Sequence, residues 1–314
     1  MKTNKNTAQS KVRLRPSLAV DLSRNWCLYI MILPLALYYV LFHYVPMFGL
    51  VVAFENYTPM QGIFGSEFVG FDNFIKFFSS PYFWTLLRNT VRISLSVLIF
   101  SFPAPIILAL LLNEIKSKHF RSVTQTLSYL PHFISLAIVC GMIKDFTLDS
   151  GIINDIAAFF GAERVSMLSK PEYFVPVYVI SDIWQHLGWN SIIFISALAG
   201  IDQQLYEAAQ IDGAGKWKQM LHVTLPGIAP TIIIMLLLKI GNILNIGYEK
   251  IILLYNPLTY DTADVLQSFI YRRGLQEFDW GYSTAAGMFN SVINTILLIS
   301  ANKISSKVSE TALW

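Results

Sequence analysis

The chain has 314 residues, 54% of them hydrophobic and only 14% charged, with a formal charge of +3. A soluble domain carries about 25% charged residues, so this deficit points to lipid, where each charge is costly. The small net charge, with no basic run interleaved with aromatics, excludes a nucleic-acid binder, and two cysteines in apolar stretches, Cys27 and Cys140, exclude a disulfide framework.

Residues 1–25 form a basic tail with Lys2, Lys5, Lys11, Arg13, Arg15 and Arg24. The apolar run that follows is longer than the core of a cleavable leader and reads as a retained first span. Crossing the hydrocarbon takes roughly 20 mostly apolar residues as a helix. Six stretches qualify: 27–54, 85–112, 122–143, 173–200, 227–248 and 283–301. Helices are expected because lipid offers no partner to a free N–H or C=O. The fold class is therefore all-α, a polytopic membrane domain over 26–314. Pro34 and Pro46 are expected to kink the first span or end it early.

The connections alternate in character. Segment 55–84 contains VGFDNFIKFFSSPYFW, which suits a short interfacial helix. Segment 144–172 has Gly151, Gly161 and Pro171 around an apolar helical turn, and 249–282 is a third folded connection. Thirteen Lys and Arg residues fall in the N-terminal tail, the 113–121 and 201–226 loops and the C-terminal tail, against seven in the alternate connections. That asymmetry places both termini and the 201–226 loop in the cytoplasm.

The 201–226 loop is the most informative part of the chain. Asp202 can cap a helix through Glu207 and Gln210, and Gly213 can supply the left-handed residue that ends it. Lys216 to His222 can form a second short helix, and Pro226 can open the fifth span. Ala208 and Ala209 offer a small surface on which another backbone can come close, with Glu207 to orient the contact. In LYEAAQIDGAGKWKQMLHVTLPGIAP, the EAA triplet, Gly213, Val223 and Leu225-Pro226 resemble the EAA loop of binding-protein-dependent ABC importer permeases. YVPMFGLVVAFENY, RNTVRISL, LALLLNEI, LSYLPHFIS, IWQHLGWNSI and YNPLTYDTADV resemble the carbohydrate-uptake group, and within it the LplB-like oligosaccharide permeases. The resemblance covers about residues 25–314.

That resemblance implies a type I ABC importer transmembrane domain in a bacterial plasma membrane, with a cytoplasmic EAA coupling helix in the 202–226 loop. Glu207, Ala208, Ala209 and Gly213 would couple it to an ATPase. It implies three partners: a cytoplasmic ABC ATPase dimer, a second permease subunit completing a heterodimer, and an extracellular solute-binding lipoprotein. ATP would be used by the ATPase, and no cofactor would be bound by this chain. The chain has no phosphate loop of the GxxxxGK[ST] kind, no metal-ligand cluster and no catalytic constellation, so no enzymatic activity is expected.

Polar residues inside the spans mark a path. Asp182, Gln185, His186, Trp189 and Asn190 share one helical face of the fourth span. Lys239, Asn242 and Asn245 share a face of the fifth, and Asn290 and Asn294 lie in the sixth. His186, Asn190 and Lys239 are expected near the midplane, where transporter sites commonly lie. Amides, an imidazole and an indole suit a sugar. The resemblance points most directly to Trp189, Asn242 and Asn245 as substrate contacts. Lys239 either pairs with Asp182 or faces a uronate-containing oligosaccharide. The rival function is an ion-coupled secondary sugar transporter, which usually needs buried carboxylates, and Asp182 is the one carboxylate well inside a span.

Overall fold

The computed structural model describes residues 22–308 and 312–313. The basic tail expected over 1–25 therefore lies almost wholly outside the described residues. The chain divides into two units, Met1–Val51 and Val52–Trp314. In the first unit, helix α1 (Trp26–Tyr39) continues through a π turn at Val40–Tyr44 and a short turn at Val45–Met47, and none of these residues is buried. Pro34 sits inside α1 without ending it.

The second unit is mostly helical, with one departure from the all-α expectation: Glu55–Asn56 (β1) pairs antiparallel with Glu67–Phe68 (β2). Helix α2 (Asp72–Phe78) follows, in the segment where an interfacial helix was expected. Its Asn73 donates to the carbonyls of Ala53 and Glu55, 3.0 Å each, and so fixes the hairpin base. Helices α3 (Phe83–Ser96) and α4 (Pro103–Glu114) form one apolar run through a π turn at Val97–Ser101.

The third expected span is not straight. Helix α5 (Lys118–Tyr129) passes into a 3-10 turn at Leu130–Phe133, and α6 (Leu136–Thr147) restarts at Ser135. The two arms, Lys118–Phe133 and Leu136–Phe159, meet at 97°. Pro131 cannot donate to the turn before it, and Ser135 caps the new helix by accepting from Ile138 N–H at 3.5 Å. Helix α7 (Ile152–Phe159) lies between the glycines that punctuate 144–172.

Helix α8 (Pro171–Ala199) runs 29 residues, yet its polar stripe keeps it out of the four helices apolar enough to cross a membrane on composition alone. Those four are Trp26–Phe54, Phe83–Glu114, Lys216–Gly241 and Trp280–Lys307. Six equal apolar spans thus become four such helices, a bent pair and one polar-striped helix.

Helix α8 packs against α4 and α5. In lipid no hydrophobic force drives helices together, so close packing of small residues must do it. Gly188 is where α8 meets α5: a Cβ there would fall 2.2 Å from the Ser128 carbonyl oxygen. Ser191, Ala109, Ala285 and Ala286 are likewise fully buried. Cys140 is buried in the apolar cluster with Ile93, Phe174, Tyr178 and Ile251, a small hydrophobe as its surroundings require.

The 249–282 segment is tied down by side chains. Asn89 donates to the carbonyls of Asp261 and Asp264, 3.0 Å each, and Thr90 accepts from Leu266 N–H at 2.9 Å. Asn256 reaches the Leu168 carbonyl at 2.7 Å. Much of RNTVRISL and YNPLTYDTADV therefore serves to anchor this segment. Arg272 pairs with Asp264 at 2.6 Å. Burial would lower the Arg272 pKa, but the bond and charge of Asp264 outweigh it and the net shift is upward.

Candidate functional site

Helix α9 (Gln203–Ile211) begins at Asp202, whose carboxylate accepts from Gln204 N–H at 2.9 Å. It ends on Gly213 at φ +75°, with Ala214 N–H bonded to Ala209 O at 2.8 Å and Gly213 N–H to Gln210 O at 3.0 Å. This pair of bonds is a Schellman stop, and only glycine takes that φ without strain. No residue of α9 is buried; Glu207 and Ala208 are exposed and Ala209 half-buried. Apolar side chains nearby are exposed as well: Leu205, Ile211 and Trp217. The second short helix expected at Lys216–His222 is not separate. Lys216–Gln219 runs through a π turn at Met220–Thr224 into helix α10 (Leu225–Gly241), a continuous 26 residues. Pro226 lies just past the π turn, where Leu225 N–H bonds to the Met220 carbonyl, and has no N–H of its own to donate.

At the other end, α10 stops at Gly241, short of the expected 248. Residues 242–247 are irregular until helix α11 (Tyr248–Leu254) begins. Lys239, Asn242 and Asn245 therefore do not share a helical face. The break is held partly by local turn bonds, such as Asn245 N–H to Asn242 O at 3.0 Å, and partly by side chains of other helices, as a break inside lipid requires. Ser94 Oγ donates to the Ile243 carbonyl. Leu244 N–H donates to Asn294 Oδ1 at 3.1 Å. Asn245 Oδ1 accepts from Asn290 Nδ2 at 2.6 Å and from Gln267 Nε2 at 2.9 Å.

The break lines a cavity of about 230 Å³. Asp182 and His186 enter it from α8, Lys239, Asn242 and Asn245 from α10 and the break, and Lys250 from α11. Among the described residues Asp182 pairs with His186, at 3.3 Å, and not with Lys239. One helical turn separates Asp182 from His186, so the contact needs no backbone adjustment.

Two expected members stand apart. Trp189 does not line the cavity; its ring stacks on His132 at 4.5 Å and 7°, with Phe133 edge-on at 5.6 Å. His132 also lies 5.6 Å from His186. Asn190 is exposed and outside the cavity lining. Gln185 is buried in the helix bundle. Among the lining residues that were not expected are Ser94 and Lys250. The available signal for Lys250 was a lysine that follows Glu249 and directly precedes the apolar run IILL.

Residues 101–310 match the family described as the binding-protein-dependent transport system inner membrane component. The chain belongs to this permease family. Over 306 residues the permease is 43% identical to the polygalacturonan/rhamnogalacturonan transport system permease protein YteP of Bacillus subtilis, covering 97% of this chain and 95% of YteP. It is also 43% identical to protein LplB of the same organism, over 93% of this chain and 92% of LplB. Among solved structures it resembles a chain of a bacterial alginate ABC transporter crystallised with its alginate pentasaccharide-bound periplasmic protein. The TM-score is 0.88 at 42% identity, over 95% of this permease and all of that chain. The fold is thus that of an ABC importer permease, and the protein is a membrane transport component.

Proposed function

We propose that this permease is the transmembrane subunit of an ATP-driven importer for oligosaccharides, uronate-containing ones among them, in a bacterial plasma membrane. The observation that carries the reading is the charged cavity at the helix interruption. Broken helices and free polar groups inside a bundle are the form that solute sites take in membranes. Two of the named relatives, YteP and the alginate transporter, are named for acidic polysaccharides, polygalacturonan/rhamnogalacturonan and alginate, which agrees with two lysines in the cavity lining.

In this reading six segments cross the membrane, the bent 118–159 pair and the polar α8 among them. Both termini and the 202–226 loop face the cytoplasm. Glu207, Ala208, Ala209 and Gly213 belong to the coupling helix that an ABC ATPase dimer grips. A second permease subunit completes the pathway, and a solute-binding lipoprotein delivers sugar from outside. ATP is used by the ATPase alone. ATP-driven closure pushes α9, and because Lys216–Gly241 is one continuous helix, the push reaches the interruption directly. His186, Lys239, Asn242 and Asn245 meet the sugar at that point, while Trp189 and Asn190 lie along the route beside it. A neutral amide face beside the ammonium groups of Lys239 and Lys250 suits hydroxyl groups and a carboxylate together.

The test is uptake by proteoliposomes holding the permease with its co-expressed partner permease and ATPase, supplied with loaded binding protein. Import of trigalacturonate that needs ATP inside the vesicle is expected. Import driven by a proton or sodium gradient without the ATPase would establish the secondary-transporter reading instead.

A further inference from the structure

The cavity contains a cation that polar patterning along the spans does not reveal. Lys250 is 3% exposed, and its Nζ has no hydrogen-bond partner among the described residues. It stands 5.0 Å over the Tyr178 ring. That contact compensates part of the cost of burying an ammonium but satisfies none of its three donors. The carboxylate that shares the cavity, Asp182, is engaged by His186. Among the described residues it makes no ion pair with either lysine. Lys239 and Lys250 share the cavity lining with a single carboxylate, Asp182, so positive charge is in excess there. A buried ammonium without hydrogen bonds is costly. Here the missing partner is one anionic group, and Lys250 lines the cavity such a group would enter, although its Nζ is itself closed off from solvent. At about 230 Å³ the space falls below the ~300–1,000 Å³ of sites for drug-sized ligands and suits a single sugar ring.

We infer that Lys250 is the specificity residue of this cavity: its Nζ receives the carboxylate of one uronate unit as the chain passes, and so favours acidic over neutral oligosaccharides. The inference rests on the oligosaccharide reading above and names the residue that reads the charge. Lys239 is exposed on the other side of the interruption; Lys250 is the one that holds the carboxylate out of water. The bond formed is a charge-assisted N–H to carboxylate bond, roughly twice as strong as a neutral one.

The test compares wild type with Lys250→Met, in the reconstituted complex, on trigalacturonate and on its carboxyl-free counterpart galactotriose. Methionine keeps the apolar stem and removes the charge. Uptake of trigalacturonate should fall about tenfold or more, the size of one lost charge-assisted bond. Uptake of galactotriose should stay within about twofold, and the melting temperature should not drop, because an unpaired buried charge is gone. Equal losses on both sugars, or wild-type uptake of trigalacturonate, would overturn the inference. If the wild-type complex imports neither sugar, the oligosaccharide reading fails first, and the lysine is judged on binding alone. Galacturonate, and not galactose, should then raise the melting temperature of the wild-type complex and leave that of Lys250→Met unchanged. No rise in wild type, or an equal rise in both, removes the anion site.

Discussion

The interruption at 242–247 and the loop at 202–226 lie at opposite ends of one helix, and they are completed in opposite ways. At the interruption the chain answers its own needs: Ser94, Asn290 and Asn294, from other helices, take up the backbone and side-chain groups set free there. Helix α9 is closed at its ends by Asp202 and the Gly213 stop, touches the bundle through Tyr206, whose hydroxyl lies 3.0 Å from Thr224 Oγ1, and buries none of its residues. One region is closed by tertiary contacts within the chain; the other leaves a surface whose complement lies outside it. A change in the first should therefore act on stability, and a change in the second on partnership.

Two glycines give the sharpest contrast. Gly188 is needed for closeness, since any Cβ there meets the Ser128 backbone. Gly213 is needed for its φ of +75°, with nothing within 4 Å of a built Cβ. Gly188→Leu should force α5 and α8 apart, costing more than about 4 kcal/mol, in the range that marks an overpacked core. Loss of monodisperse protein after detergent extraction is the expected result. A normal melting temperature would show that the helices can separate freely and that the bundle is looser than its contacts suggest.

Asn294→Leu is the next largest. It leaves the Leu244 N–H buried without an acceptor, at a cost of about 1–3 kcal/mol. A fall in melting temperature, without loss of ATPase co-purification, is expected. An unchanged melting temperature would mean that another group accepts from Leu244 and that the interruption is not held in the way described.

The smallest effects on stability belong to the loop. Gly213→Ala should cost roughly 1–2 kcal/mol locally, the penalty of a left-handed non-glycine residue. Ala208→Trp, fully exposed on α9, should change stability by less than about 0.5 kcal/mol. Yet Ala208→Trp should abolish ATPase co-purification and ATP-driven uptake, because a bulky ring stands where a partner's backbone is proposed to approach. Normal uptake by this variant would break the contrast between a closed and an open region.

Much was legible along the chain because its cause is local. Lipid demands apolar helices, and among the described residues four of the six expected stretches are single helices long and apolar enough to cross. The start of α9 at Asp202 and its stop at Gly213 follow from residues within five positions of each other. The polar stripe of α8 was visible as a period, although its members part company in space: Asp182 and His186 enter the cavity, and Trp189 turns to His132. What no local pattern contained is where α10 stops. LLLKIGNILNIGYEK reads as a continuing helix by composition. Its end is decided by a hydroxyl 149 residues away, by Asn294 50 residues away and by Asn290 45 residues away. The same folding buries Lys250 over Tyr178 and leaves its Nζ without a hydrogen bond among the described residues. A period in the sequence reports which side chains share a face. Only the packed bundle decides which freed backbone group is answered, and which buried charge is left open to a ligand.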